Sequence, residues 1–128
     1  MKEVVFLGST LADLRNFPED VKQEVGFSIY TAQGGGRAIN VTPLISYRGA
    51  SVLEVISNDD GDTFRAVYTT RFGDTIYVLH AFKKKSVRGR ATPKKETDLI
   101  ESRLKLAEQH YLSETKRKTV AQNVRQQT

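Results

Sequence analysis

The sequence predicts an α+β domain: a small, mostly antiparallel β-sheet with a helical pair near the N-terminus and a further helix after the last strand. Two observations carry that prediction. Residues 63–72 and 75–82 are rich in β-branched and aromatic side chains and are joined by Gly73-Asp74, the composition of a hairpin. Before and after this ribbon, apolar residues recur at three- and four-residue spacing, the period of helices laid on a sheet.

Taken in order, Glu3 to Leu7 is a short apolar run with strand character, and Gly8-Ser9-Thr10 ends it, with Ser9 or Thr10 placed to cap a short helix over Leu11 to Phe17. Pro18 restarts a helix that runs to about Gln33, because a proline loses nothing in the first turn and Glu19 and Asp20 suit the positive end of the dipole. Leu14, Phe17, Val21, Val25, Ile29 and Ala32 form its buried stripe. Phe27 and Tyr30 lie off that stripe, against a second element or facing a partner. Gly34-Gly35-Gly36 stops the helix by supplying a left-handed cap; the run follows a helix, whereas a phosphate cradle precedes one.

Arg37 to Ala50 reads as an irregular connection. Ser51 to Ser57 resumes a strand, and Asn58 to Asp62 is an acidic turn that lacks the terminal glutamate and ligand spacing of a calcium loop. After the hairpin, Thr92-Pro93 resembles an N-cap followed by a first-turn proline, with Glu96 completing a capping box. Leu99, Ile100, Arg103, Leu104, Ala107 and Tyr111 continue at helical spacing. The domain is thus expected over 1–112, with 113–128 a polar tail, frayed or disordered.

Gly73-Asp74 favours a two-residue type II′ turn, which pairs Phe72 with Thr75, Thr70 with Tyr77, Tyr68 with Leu79, Val67 with His80 and Arg65 with Phe82. Alternation then sets Arg65, Val67, Thr69 and Arg71 on one face with Ile76, Val78, His80, Phe82 and Lys84. Arg65, Arg71 and Lys84 project together into solvent, with the helices on the opposite face. A bulge slips the residues beyond it to the other side. Tyr68 points away from Arg65, into the core, where its hydroxyl needs a partner.

Length allows one domain of 128 residues, with 27% charged and 38% hydrophobic residues, an ordinary globular composition. Cysteine is absent, which removes disulfides and thiolate metal sites, and the N-terminus holds only a four-residue apolar run, too short for a signal core or a membrane span. A cytoplasmic protein without membrane contact is the expectation. The formal net charge is +5, and KKKSVRGRATPKK (83–95) carries seven basic residues and no acidic one, the footprint of a polyanion partner.

The segments GGGRAINVTPL, VLEVISNDDGDTFRAVYTTRFGDTIYVLHAFKKKS and ATPKKETDLIESRLKLAEQ resemble those of phage-related toxins of the RelE/ParE superfamily, in the branch with HigB-type and Tad-type toxins. The resemblance spans roughly residues 3 to 112, and RAVY, IYVLHAFKKKS and the TP before the last helix are its most specific parts. It implies the toxin of a type II toxin-antitoxin system, a ribosome-associated mRNA endonuclease silenced by a helix-turn-helix antitoxin. It also implies RNA cleavage by the 2′-OH without metal or other cofactor, in which basic groups steady the phosphorane. Carried onto this chain, the phosphate-stabilising residues fall on Arg65 and Lys84, with Lys85 beside them.

His80 shares the cationic face and has the chemistry for proton transfer, although a lone histidine in an apolar strand is more often structural. Glu54 fits a base or an ion-pair partner equally. Arg71, Lys83, Arg88, Arg90, Lys94 and Lys95 are the candidates for holding mRNA or ribosomal RNA. Some relatives carry a tyrosine just after the paired basic residues, and 86–93 contains none. Two alternatives stay open: a ParE-like toxin that binds a protein such as DNA gyrase, and a non-catalytic basic nucleic-acid module.

Overall fold

The computed structural model describes residues 1–44, 51–84 and 92–126. Its elements run β1 (Glu3–Phe6), α1 (Thr10–Arg15), α2 (Glu19–Gln33), β2 (Val41–Pro43), β3 (Val52–Asp59), β4 (Asp62–Thr69), β5 (Thr75–Lys84) and α3 (Lys94–Gln126). One five-stranded sheet has the order β1-β5-β4-β3-β2. Only β1 pairs in parallel, with β5, and the remaining neighbours are antiparallel. The α+β architecture is the one the sequence predicts.

Local chemistry accounts for most boundaries. At the end of α2, Gly35 takes φ +92°, and the amides of Gly35 and Gly36 return to Ala32 and Thr31. Asp60 and Gly61 both take positive φ between the paired residues Asp59 and Asp62, so the acidic turn is a two-residue hairpin loop. β4 ends where the Thr69 hydroxyl turns back to the Ser51 carbonyl at 2.6 Å and also accepts the Arg71 amide.

One departure from the sequence reading lies within 37–50. Val41–Pro43 forms a short edge strand on β3 inside the stretch read as irregular, and proline is tolerated there because it sits at a sheet edge. Residues 45–50 lie outside the described ones.

A second departure reorganises the hairpin. The turn closes as expected, with Gly73 at φ +57° and the Thr75 amide on the Phe72 carbonyl, and Arg65 faces Phe82 and Val67 faces His80. Between Val67 and Tyr68 the register shifts, so that Tyr68 faces Val78 and Thr69 faces Tyr77. Leu79 is the additional residue of a β-bulge. Ile76 and Val78 therefore belong to the face away from Arg65.

Each face has its own core. On one, α1 and α2 bury Leu14, Val21, Val25 and Ile29 against Val55, Ala66, Tyr68, Ile76 and Val78. On the other, α3 buries Ile100, Leu104 and Ala107 against Val52, Val67, Tyr77 and Leu79. The helices thus cover both faces, and α3 lies on the side that carries Arg65, His80, Phe82 and Lys84. The expectation that helices leave the cationic face bare is corrected: the bulge puts Tyr77 and Leu79 together there, an apolar surface that needs a cover. Past Tyr111, α3 continues as helix to Gln126.

Candidate functional site

Arg65 sits opposite Phe82, and Lys84 two residues further along β5 on the same face, so a guanidinium and an ammonium from adjacent strands meet. Neither is bathed in water: Arg65 is 4% and Lys84 7% exposed. This corrects the picture of cations projecting into solvent. Arg65 Nη1 donates to Glu54 Oε1 at 2.8 Å, an ion pair whose side chains are both about nineteen-twentieths buried. Burial pushes the Lys84 ammonium below its ordinary pKa, the Arg65 charge pushes it further, and Glu54 opposes both.

The other oxygen of Glu54 is also engaged. Thr92, just ahead of α3, donates its hydroxyl to Glu54 Oε2 at 3.1 Å. One turn on, Glu96 Oε2 pairs with His80 Nε2. The two residues read as a capping box are thereby drawn into the sheet face, and the first helical amides go to the Pro93 carbonyl instead. A buried carboxylate and a partly buried imidazole are better partners for them than amides that water reaches.

His80 is held from both sides. Arg103 Nη1 donates to the Leu79 carbonyl at 3.0 Å and approaches His80 Nδ1 at 3.4 Å. A guanidinium only donates, so Nδ1 presents its lone pair and the proton sits on Nε2, toward Glu96. Both ring nitrogens are occupied in this arrangement. Gly8, at φ +55°, gives Arg103 its path, since a Cβ there meets Nη2 at 2.7 Å.

The remaining predicted residues do not converge. Arg71 lies six residues past Arg65, roughly 20 Å along the strand direction, where its Nε donates to Ser51 Oγ at 3.2 Å. Lys83 points to the other face and pairs with Asp62 at 3.1 Å. Lys94 pairs with Asp98 at 2.8 Å, a hydrogen bond that raises the lysine pKa, and Lys95 is exposed. Lys85, Arg88 and Arg90 lie outside the described residues. Tyr68 is in the core as expected, with its pKa raised by burial against the opposing pull of Arg37, but its hydroxyl has no hydrogen-bond partner among the described residues.

Three residues of the cluster, Thr92, Glu96 and Arg103, carry no site signal in the sequence. Thr92 and Glu96 look like helix caps, and Arg103 like one step of a helical stripe. Beside the cluster, Phe82, Lys83, Lys84, Pro93, Lys95 and Glu96 enclose a cavity of about 210 Å³. On the far face, Phe6, Leu11, Leu14, Val25, Gly26 and Ile29 line an apolar groove of about 160 Å³, with Arg15 and Lys22 at its rim. Phe27 and Tyr30 are 66% and 58% exposed on the same helix, which settles them as surface residues.

Among the described residues, no helix is long and apolar enough to cross a membrane, and no group of three or more His, Cys, Asp or Glu side chains is placed to hold a metal ion. Comparison with curated proteins and with solved structures gives no match. A family model does match, over residues 12–105, a span that contains Glu54, Arg65, His80, Lys84, Thr92 and Glu96. The chain belongs to the family described as Phage derived protein Gp49-like (DUF891).

Proposed function

We propose that this protein is the toxin of a type II toxin-antitoxin system, a member of the HigB-type or Tad-type branch of the RelE/ParE superfamily that cuts mRNA on the ribosome in the cytoplasm. Membership of the Gp49-like family is compatible with a toxin. The observation that carries the reading is the placing of Arg65 and Lys84 on one face of neighbouring strands, where burial and then the guanidinium charge lower the lysine pKa. Two cations share the single carboxylate of Glu54 there, so the cluster keeps positive charge that a phosphate can offset.

The reaction asks for little else. The RNA 2′-OH attacks the adjacent phosphorus and passes its proton to a solvent water, the bond to O5′ breaks, and a 2′,3′-cyclic phosphate and a 5′-OH result. Arg65 stabilises the charge that gathers on the equatorial oxygens. Lys84, with its lowered pKa, both stabilises that charge and gives a proton to the departing O5′. Lys85 and the basic residues of 88–95 bind the RNA backbone.

The same arrangement makes the isolated protein closed. Arg65 is turned toward Glu54, and Thr92 and Glu96 fasten the start of α3 across the face. The scissile phosphate replaces Glu54 as the partner of Arg65 once those contacts open on the ribosome. For the partner, a helix-turn-helix antitoxin, the groove between α1 and α2 takes an acidic amphipathic helix, because its floor is apolar and Arg15 and Lys22 stand at its edge.

Purified protein added to programmed ribosomes tests the reading. Cleaved transcripts with cyclic-phosphate ends are expected, with loss in Arg65→Met and Lys84→Met. Transcripts left intact by protein that still binds RNA in a salt-dependent way point instead to a non-catalytic basic module. Inhibition of gyrase supercoiling with intact transcripts points to the ParE-like alternative.

A further inference from the structure

The cavity beside Lys84 has walls of two kinds. Phe82 forms one, and its ring lies on His80 with centroids 4.8 Å apart and planes 22° apart. His80 is fixed in turn by Glu96 and Arg103, so the aromatic platform is held in place before anything binds. Glu96 forms the second wall. Its Oε2 serves His80, while Oε1 has no hydrogen-bond partner among the described residues.

We propose that the cavity bounded by Phe82, Lys84, Pro93, Lys95 and Glu96 is a subsite for one single-stranded nucleotide whose base carries an exocyclic amino group. The inference rests on the reading that the protein acts on RNA and adds which nucleotide it prefers. A base stacks on Phe82 as a third layer over His80, a contact every base makes. Selection comes from Glu96, because a carboxylate accepts hydrogen bonds and cannot donate them. Cytosine presents an amino group where uracil presents a carbonyl, so cytosine is bonded and uracil leaves two acceptors facing each other. Lys84 and Lys95 stand where the flanking phosphates pass, and Phe82 opposes Arg65 in the register, so the bound nucleotide adjoins the phosphate to be cleaved.

The test uses short fluorescent oligoribonucleotides with 2′-O-methyl groups, which bind without being cut, and reads affinity by anisotropy at low salt. Oligocytidylate is expected to bind about fivefold tighter than oligouridylate. Phe82→Leu is expected to weaken oligocytidylate by about tenfold, and its melting temperature is measured alongside to separate binding from folding. Glu96→Gln keeps an acceptor for His80 but adds a donor, so it narrows the preference for cytosine over uracil. Equal affinity of the wild-type protein for the two oligomers overturns the proposal, as does a folded Phe82→Leu variant that binds like wild type. Base-selective binding without cleavage on ribosomes upholds the subsite and removes the endonuclease reading; cleavage without base selection does the reverse.

Discussion

Thr92 and Glu54 are joined by a hydrogen bond of 3.1 Å that ties the approach to α3 to the middle of β3. Since Arg65 holds the other carboxylate oxygen, the carboxylate links the helix to the cation that the proposed reaction uses. Thr92→Val keeps the shape and removes the donor. A loss of about 1.5 kcal/mol in denaturant unfolding is expected, together with faster amide exchange in the first turn of α3. Under the proposed mechanism the same variant cleaves ribosome-bound mRNA faster, because less must be broken to expose Arg65.

Arg65 has a structural and a proposed chemical role, and one pair of variants separates them. Arg65→Met leaves Glu54 buried without its guanidinium and is expected to cost about 3–5 kcal/mol. Adding Glu54→Gln removes the stranded charge and restores most of that stability. Cleavage remains at least a hundredfold down in both, as loss of a charge-stabilising donor requires. Recovery of cleavage in the double variant shows that Arg65 serves folding only.

Lys84 gives stability a pH dependence of known sign. Its folded pKa lies below the ordinary 10.5, so between the two values the unfolded chain binds more protons than the folded one. Stability from this group therefore rises with pH through that window, and the cost of burying the ammonium is fully present below it. Lys84→Met is expected to melt higher than wild type at pH 7, with the gap shrinking as pH approaches 10.5. A gap that widens with pH contradicts the assignment.

Gly73 is required twice over. Its φ of +57° disfavours any Cβ, and a Cβ there meets Tyr111 Oη at 2.5 Å. Gly73→Ala is expected to destabilise by about 2 kcal/mol or more, from the left-handed backbone and the clash together. Tyr111→Phe in the same chain removes the struck oxygen and recovers the steric part. Equilibrium unfolding of the single and double variants measures both terms.

Local chemistry was legible in the residue string wherever it acts over a few positions. The helix from Pro18 to Gln33, its Gly35 stop, the Gly73-Asp74 turn, the buried Tyr68 and the shared face of Arg65, His80, Phe82 and Lys84 all follow from spacing and composition. Those depend on period and on φ, which each residue carries with it. The Leu79 bulge, the burial of the cations and the linking of Thr92 to Glu54 and of Glu96 to His80 do not follow from any local rule. They arise because Tyr77 and Leu79 present an apolar face that α3 must cover, and a helix laid there brings its first residues over Glu54 and His80, partners 38 and 16 positions away along the chain. Sequence alone determined that Arg65, His80, Phe82 and Lys84 share a side of the sheet; tertiary packing decided which apolar residues join them there, and that the cations meet a carboxylate and a helix before they meet water.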